Sequence, residues 1–264
     1  MPDPTADQPV LDHIAVAVER HEDVYPRYVG ELGGRWLSGG LAYGFAPSQL
    51  QYANGMKVEL LQPHAVERND FLRRFLDRRG PGAHHLTFKV ADIHATMADA
   101  EDAGVRPVSV DLSDPDWQEA FLHPKDACGI VVQIAQARGE WRSPRRPRLP
   151  APTPPQPADL TEIVHAVPSL GAGLHVFERI LRGRRTATNA DGEAPWVELS
   201  WTGPGRIKLV ELPDLVGHEP GLLHHVAFRV EDPESVSDAR PDADGGFEIA
   251  PADNFGVRLR LTAR

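Results

Sequence analysis

Four short stretches of this chain alternate apolar and polar residues, and they read as copies of one plan. They are Asp12-His13-Ile14-Ala15-Val16-Ala17-Val18, His84-His85-Leu86-Thr87-Phe88-Lys89-Val90, Glu162-Ile163-Val164-His165-Ala166-Val167 and His224-His225-Val226-Ala227-Phe228-Arg229-Val230. A period of two predicts β-strands. In the first copy Ile14, Val16 and Val18 share one face, and His13, Ala15 and Ala17 share the other. The second copy keeps that phase, with Leu86, Phe88 and Val90 set against His85, Thr87 and Lys89. Internal repeats of this kind decide the architecture before any other signal.

Each copy opens a module. After the first strand the pattern predicts a helix over 23–32 and strands near 34–38, 41–46, 50–53 and 56–62, with Asn54-Gly55 as a hairpin turn. The second module predicts a strand at 84–90 and a helix at 92–103, capped by Asp92 and stopped by Gly104. Strands follow at 105–111, 117–123 and 129–136, with a turn at 124–129. Residues 67–79 form an amphipathic connector whose charges face solvent. The third module is shorter: a strand at 161–167, a helix at 169–182, and strands at 196–201 and 205–212 around the turn Gly203-Pro204-Gly205. The fourth, 224–264, holds a strand, a short helical piece and a strand at 256–262, and is truncated in the middle.

Prolines mark the boundary between the two pairs. Residues 138–158 carry Pro144, Pro147, Pro150, Pro152, Pro154, Pro155 and Pro157 among Arg142, Arg145, Arg146 and Arg148. So many prolines exclude a helix or central strand and predict an extended spacer, and its arginines read as solvated. The expected organisation is a domain at 1–137, a Pro/Arg-rich linker at 138–158 and a second domain at 159–264. The fold class is α+β, built from tandem βαβββ modules.

Composition narrows the partners. The net charge of −10 over 264 residues disfavours nucleic acid. A single cysteine, Cys128, allows no internal disulfide and carries no reactive signature. No apolar run has the length of a signal peptide core or a membrane span. These features predict a cytoplasmic protein with a small-molecule partner and neither nucleic acid nor membrane; a homodimer is compatible with them.

The tandem module with histidine on its first strand resembles the vicinal oxygen chelate superfamily, which includes glyoxalase I, methylmalonyl-CoA epimerase, extradiol dioxygenases and bleomycin-resistance proteins. The N-terminal half is most similar to methylmalonyl-CoA epimerase. The matching residues are Asp12 to Val18, Val58-Glu59-Leu60-Leu61-Gln62-Pro63, Gly82-Ala83-His84-His85, Phe121-Leu122-His123-Pro124-Lys125-Asp126 and Gly129-Ile130-Val131-Val132. The resemblance implies half-open sheet cups, one of which holds a divalent metal on His13, Glu59, His85 and Gln133. Two imidazoles, a carboxylate and an amide oxygen suit Co, Ni, Mn, Fe or Zn. In the epimerase and glyoxalase patterns the last position is usually Glu. Here it is Gln133, and the carboxylate stands at Glu59, so the usual order is reversed. The implied chemistry is that of an epimerase, isomerase or lyase, with Glu59 and Gln133 as the catalytic pair.

Aligned on the same frame, the second domain offers Glu162, Leu209, His225 and Arg260. Arginine cannot ligate a cation, so this set predicts a metal-free cup with a Glu162–Arg260 ion pair in place of the metal. His84 is expected to pack and His123 to be structural. His21, His64, His94, His175 and His218 are expected at the surface, and Lys57, Lys89, Arg35 and Lys125 in solvent. Two other functions fit the superfamily. One is an extradiol-type dioxygenase. The other is a metal-free binding protein that uses Trp36, Tyr43, Trp117, Trp196 and Trp201.

Overall fold

The computed structural model describes residues 8–139, 148–189, 194–212 and 223–264. Strand β1 (Val10–Ala17) leads into helix α1 (His21–Tyr25), which continues as a wider helical turn over Pro26–Glu31. Proline has no N–H to offer the preceding turn, and the helix widens where it enters. Then come β2 (Arg35–Gly39), β3 (Gly44–Gln51) and β4 (Lys57–His64). Helix α2 (Phe71–Arg79) connects to β5 (Gly82–Lys89), α3 (Ile93–Asp102), β6 (Val108–Asp114), β7 (Trp117–Leu122) and β8 (Val131–Ala137). These strands form one eight-stranded sheet in the order β2-β3-β4-β1-β5-β8-β7-β6.

The second half repeats the plan. It runs β9 (Asp159–Val167), α4 (Leu170–Leu174) with a wider turn over His175–Ile180, β10 (Arg184–Asn189), β11 (Trp196–Ser200) and β12 (Arg206–Glu211). It ends with β13 (Leu223–Val230), β14 (Arg240–Pro241), β15 (Phe247–Ile249) and β16 (Leu259–Ala263). The second sheet is ordered β10-β11-β12-β9-β13-β16-β15-β14, the same permutation as the first. The fold is a tandem of βαβββ pairs, as the repeats predict.

Local chemistry accounts for the details. The Asp92 side chain accepts from Ala95 N at 3.0 Å and caps α3, and Gly104 leaves that helix at φ +79. In the fourth module the helix is reduced to one turn at Pro233–Ser235, capped by Asp232. The strands expected at 41–46 and 50–53 are a single strand, β3, with Pro47 inside it. Pro47 is tolerated because β2 ends opposite Ser48, so no neighbour on that side calls for its missing N–H. Of the spacer, 140–147 lie outside the described residues. The remainder is anchored, with Thr153 N donating to Gly30 O (2.7 Å) and Ala158 N to Leu32 O (2.9 Å).

By its backbone contacts the chain divides into two compact units, one of 1–13, 85–140 and 162–224, the other of 14–84, 141–161 and 225–264. In the first, Phe88 of β5 meets Trp201 edge-on at 5.0 Å, His175 Nε2 lies 2.9 Å from Ala103 O, and Arg182 pairs with Asp99. In the second, Asn254 Nδ2 donates to the buried Tyr28 hydroxyl (3.2 Å), Tyr52 packs edge-on against Phe228 (5.0 Å), and Arg27 binds Ser237 O and Asp238.

Helix α2 fixes where the first cup can be polar. Its Leu72 and Leu76 pack with Ala15, Ala17 and Leu61 in a buried cluster flanked by Phe45, Phe71 and Phe75. Ala15 and Ala17 share a strand face with His13, and Leu61 shares one with Glu59. The connector thus fills the apolar end of that face and leaves the histidine end for chemistry.

Candidate metal centre

His13 is 2 % and His85 6 % exposed, and their rings meet edge-to-face with centroids 5.8 Å apart. On the first sheet, one ligand atom each from His13, Glu59 and His85 lies within 4.8 Å of the others. Glu59 reaches this group from β4, where it opposes Gln49 of β3. Two imidazoles and one carboxylate fit a borderline divalent ion.

The surrounding bonds orient these groups. The buried Asp12 carboxylate sits 2.8 Å from His13 Nδ1 through Oδ2, and 3.1 Å from Lys89 Nζ through Oδ1. A carboxylate on Nδ1 fixes the ring, the usual support of a ligating histidine, and leaves Nε2, which here meets the Thr87 hydroxyl, as the atom that would turn to an ion. Thr87, fully buried, has its hydroxyl 2.9 Å from His13 Nε2 and donates to Gln133 Oε1 at 2.6 Å. Gln133 Nε2 donates in turn to Glu119 Oε2 (2.7 Å), which also accepts from Trp117 Nε1 (2.8 Å). Of the four residues singled out by sequence, the structure brings His13, Glu59 and His85 into one group. It places Gln133 on a chain from Thr87 to Glu119. Asp12, Thr87 and Glu119 were not singled out. The pattern Trp117-x-Glu119-x-Phe121 was the available signal for Glu119, because alternation puts it on the face that Gln133 uses.

The second cup differs from its expected form. Leu209 does not take the place of Glu59: it is fully buried on the helix side, against Gly173 of α4. The inward residue is Lys208, whose Nζ is 3.3 Å from Glu162 and 4.8 Å above the Trp196 ring. Arg260 pairs with Asp242 (2.9 Å) and Asp244 (3.1 Å). The expected Glu162–Arg260 pair is replaced by three others: Lys208 takes Glu162, because the inward position on β12 is one residue earlier than a count from Pro213 implies, and Arg260 takes Asp242 and Asp244. Burial raises the Glu162 carboxyl above its ordinary range, against the lowering pull of Lys208.

His84 and His165 pack against phenylalanine rings. Burial holds His84 down to about 4 beside Phe71 and Phe75, and His165 down to about 4 beside Phe177. His21, expected at the surface, is partly buried with Nε2 3.1 Å from Leu60 O, and burial lowers its pKa. His175 is likewise engaged, with Ala103 O, and His218 lies outside the described residues. Lys57, expected in solvent, is 8 % exposed, and Lys89 is tied to Asp12. Burial pushes the Cys128 thiol up to about 11.

Residues 12–121 match the model of the glyoxalase/bleomycin resistance protein/dioxygenase superfamily. Human mitochondrial methylmalonyl-CoA epimerase is 30 % identical over 132 residues, 48 % of this chain and 73 % of the relative. An uncharacterised Bacillus subtilis protein, YqjC, is 24 % identical over 133 residues, 49 % of this chain and 94 % of that protein. A variant of 4-hydroxymandelate synthase from Streptomyces coelicolor shares the fold across both sheets. Its TM-score is 0.66 at 15 % identity, covering 97 % of this chain and 92 % of the synthase chain. The chain belongs to the glyoxalase/bleomycin resistance protein/dioxygenase superfamily.

Proposed function

We propose that this chain is a divalent-metal-dependent enzyme that moves a proton at a carbon beside a carbonyl, in an epimerase-, isomerase- or lyase-type reaction on a small oxygen-chelating substrate. The observation that carries this reading is the group of His13, Glu59 and His85 on adjoining strands. Three protein ligands leave room for substrate oxygens. An ion bound there supplies Lewis-acid stabilisation to the oxygen that gains charge as the neighbouring carbon loses its proton.

The protein residues do the rest. Asp12 and Lys89 hold His13 in one orientation. Glu59 is the carboxylate of the group and is assigned a proton-transfer role, because Gln133 is an amide and cannot accept a proton near neutral pH. Gln133, expected as a fourth ligand, has its amide oxygen bonded by Thr87 and its nitrogen by Glu119, and the reading needs only three ligands. Helix α2 closes the apolar end of the face against water. The epimerase relative makes methylmalonyl-CoA the first substrate to try.

The test is the metal content of the purified chain beside His13→Ala and His85→Ala, followed by solvent-deuterium exchange into methylmalonyl-CoA. About one divalent ion per chain, lost in both variants, with exchange that needs the ion, is the expected result. No metal after reconstitution, with tight binding of an apolar ligand, would move the reading to a metal-free binding protein. Oxygen uptake dependent on iron would move it to a dioxygenase.

A further inference from the structure

We propose that Glu119 is the second proton-transfer group of this site, working with Glu59. The assignment rests on the proton-transfer reading above and extends it to a residue that reading does not need for metal binding.

Inverting a carbon centre takes one group to remove the proton and one to return it on the other face. The chain has a carboxylate for one of these tasks at Glu59 and an amide, Gln133, at the matching place in the second module. Glu119 lies next to that amide. It sits on β7, two positions from Phe121, which directly opposes Gln133 on β8. Ala120 and Leu122 between and beyond are fully buried on the helix side, so Glu119 shares the inward face with Gln133. It is half-buried, neither sealed in the core nor free in solvent.

Its bonding is lopsided in a useful way. Both protein donors, Gln133 Nε2 and Trp117 Nε1, fall on Oε2. Among the described residues Oε1 has no protein donor, so one oxygen anchors the carboxylate while the other is available to a proton. Through Gln133 and Thr87 the group is tied to His13 by three side-chain hydrogen bonds in series.

The two modules make the point by contrast. In the first, the last strand carries the acid, Glu59, and the β3 position that answers to Glu119 is Pro47, opposite Leu61. In the second, the last strand carries the amide, Gln133, and the acid is on β7, opposite Ala135. Each module supplies one carboxylate, from a different strand. In the proposed step one carboxylate accepts the C–H proton, and the C–H electron pair passes into the adjacent carbonyl as an enolate. The other carboxyl returns a proton to the opposite face and is left as a carboxylate. No oxidant or reductant is needed.

The experiment compares wild type with Glu119→Gln, using the two epimers of methylmalonyl-CoA separately in D2O. Glu119→Gln keeps the shape and an amide oxygen for both donors. It is expected to retain one divalent ion per chain and to slow interconversion by about 100-fold or more. It should still exchange the C2 proton of one epimer, with retention of configuration. The indole N–H resonance of Trp117, assigned with Trp117→Phe, should move in Glu119→Gln without substrate or metal present, which checks the contact independently of activity. Unchanged interconversion, loss of the ion, or equal loss of exchange from both epimers would each overturn the assignment while leaving the proton-transfer reading in place. A wild type that loads metal but exchanges neither epimer would overturn both.

Discussion

Asp12 and His13 are neighbours on a strand, where successive side chains point to opposite faces, yet the carboxylate bends back to the ring at 2.8 Å. Alternation therefore matches His13 with His85, and the family resemblance adds Glu59, but neither points to Asp12, whose role depends on a bond against the pleat. If Asp12 orients His13 for an ion, Asp12→Ala should weaken metal binding by about 10- to 100-fold with the fold intact, as measured by chelator competition. Unchanged affinity would remove Asp12 from the site. His165 makes a second prediction. Burial holds it to about 4, against an ordinary value of 6.5, so the folded chain keeps it neutral where the unfolded chain takes up a proton. Its contribution is complete above pH 6.5 and is lost as pH falls toward 4, on the order of 3 kcal/mol in all. Urea unfolding at pH 7 and pH 4.5 should show wild type losing more stability than His165→Leu; equal losses would contradict this. The misplacement of Leu209 shows how sharp the residue scale is: one step of register exchanges a core leucine for an inward lysine.

At the scale of elements, the strands that alternate strongly were legible and those that do not were lost. Residues of β10 are exposed throughout, and β14 has two residues, so neither buries an apolar face that a pattern could report. The sequence of 67–79 predicts a connector with solvated charge, and the ion pairs Arg73–Glu19 and Arg74–Asp70 agree with the charged half of that expectation. The other half of α2 covers Ala15, Ala17 and Leu61, which its sequence alone could not assign a partner. Because Leu72 is fully buried there, Leu72→Ala should cost about 2–5 kcal/mol in chemical denaturation. It should also loosen the cup, so that a dye sensitive to exposed apolar surface binds the variant. A loss well under that range would mean the helix collapses onto the gap.

At the scale of the molecule, the sheets follow the sequence halves but the compact units do not. Residues of β1–β8 make one sheet and those of β9–β16 the other, while each unit joins parts of both. A fragment of 1–137 keeps every strand of the first sheet, yet Tyr28 loses Asn254, Tyr52 loses Phe228 and Phe88 loses Trp201. Such a fragment should aggregate or lack the near-ultraviolet signature of packed aromatics, although the proline-rich boundary makes it look separable on paper. A monodisperse 1–137 that binds metal like the full chain would refute this.

The bond between Tyr28 and Asn254 spans 226 positions, and that between Arg27 and Asp238 spans 211. Pairings this distant raise the entropy of closing the chain before any contact rewards it, and so they slow folding. They also set an order of events during synthesis. Tyr28 and Tyr52 are made early and have to wait, uncovered, until Phe228 and Asn254 leave the ribosome. A chain that emerges at about 5–20 residues per second leaves them open for roughly ten seconds or more. In the cell, the yield of this protein should therefore depend on holdase chaperones during translation more than on the stability of the finished fold.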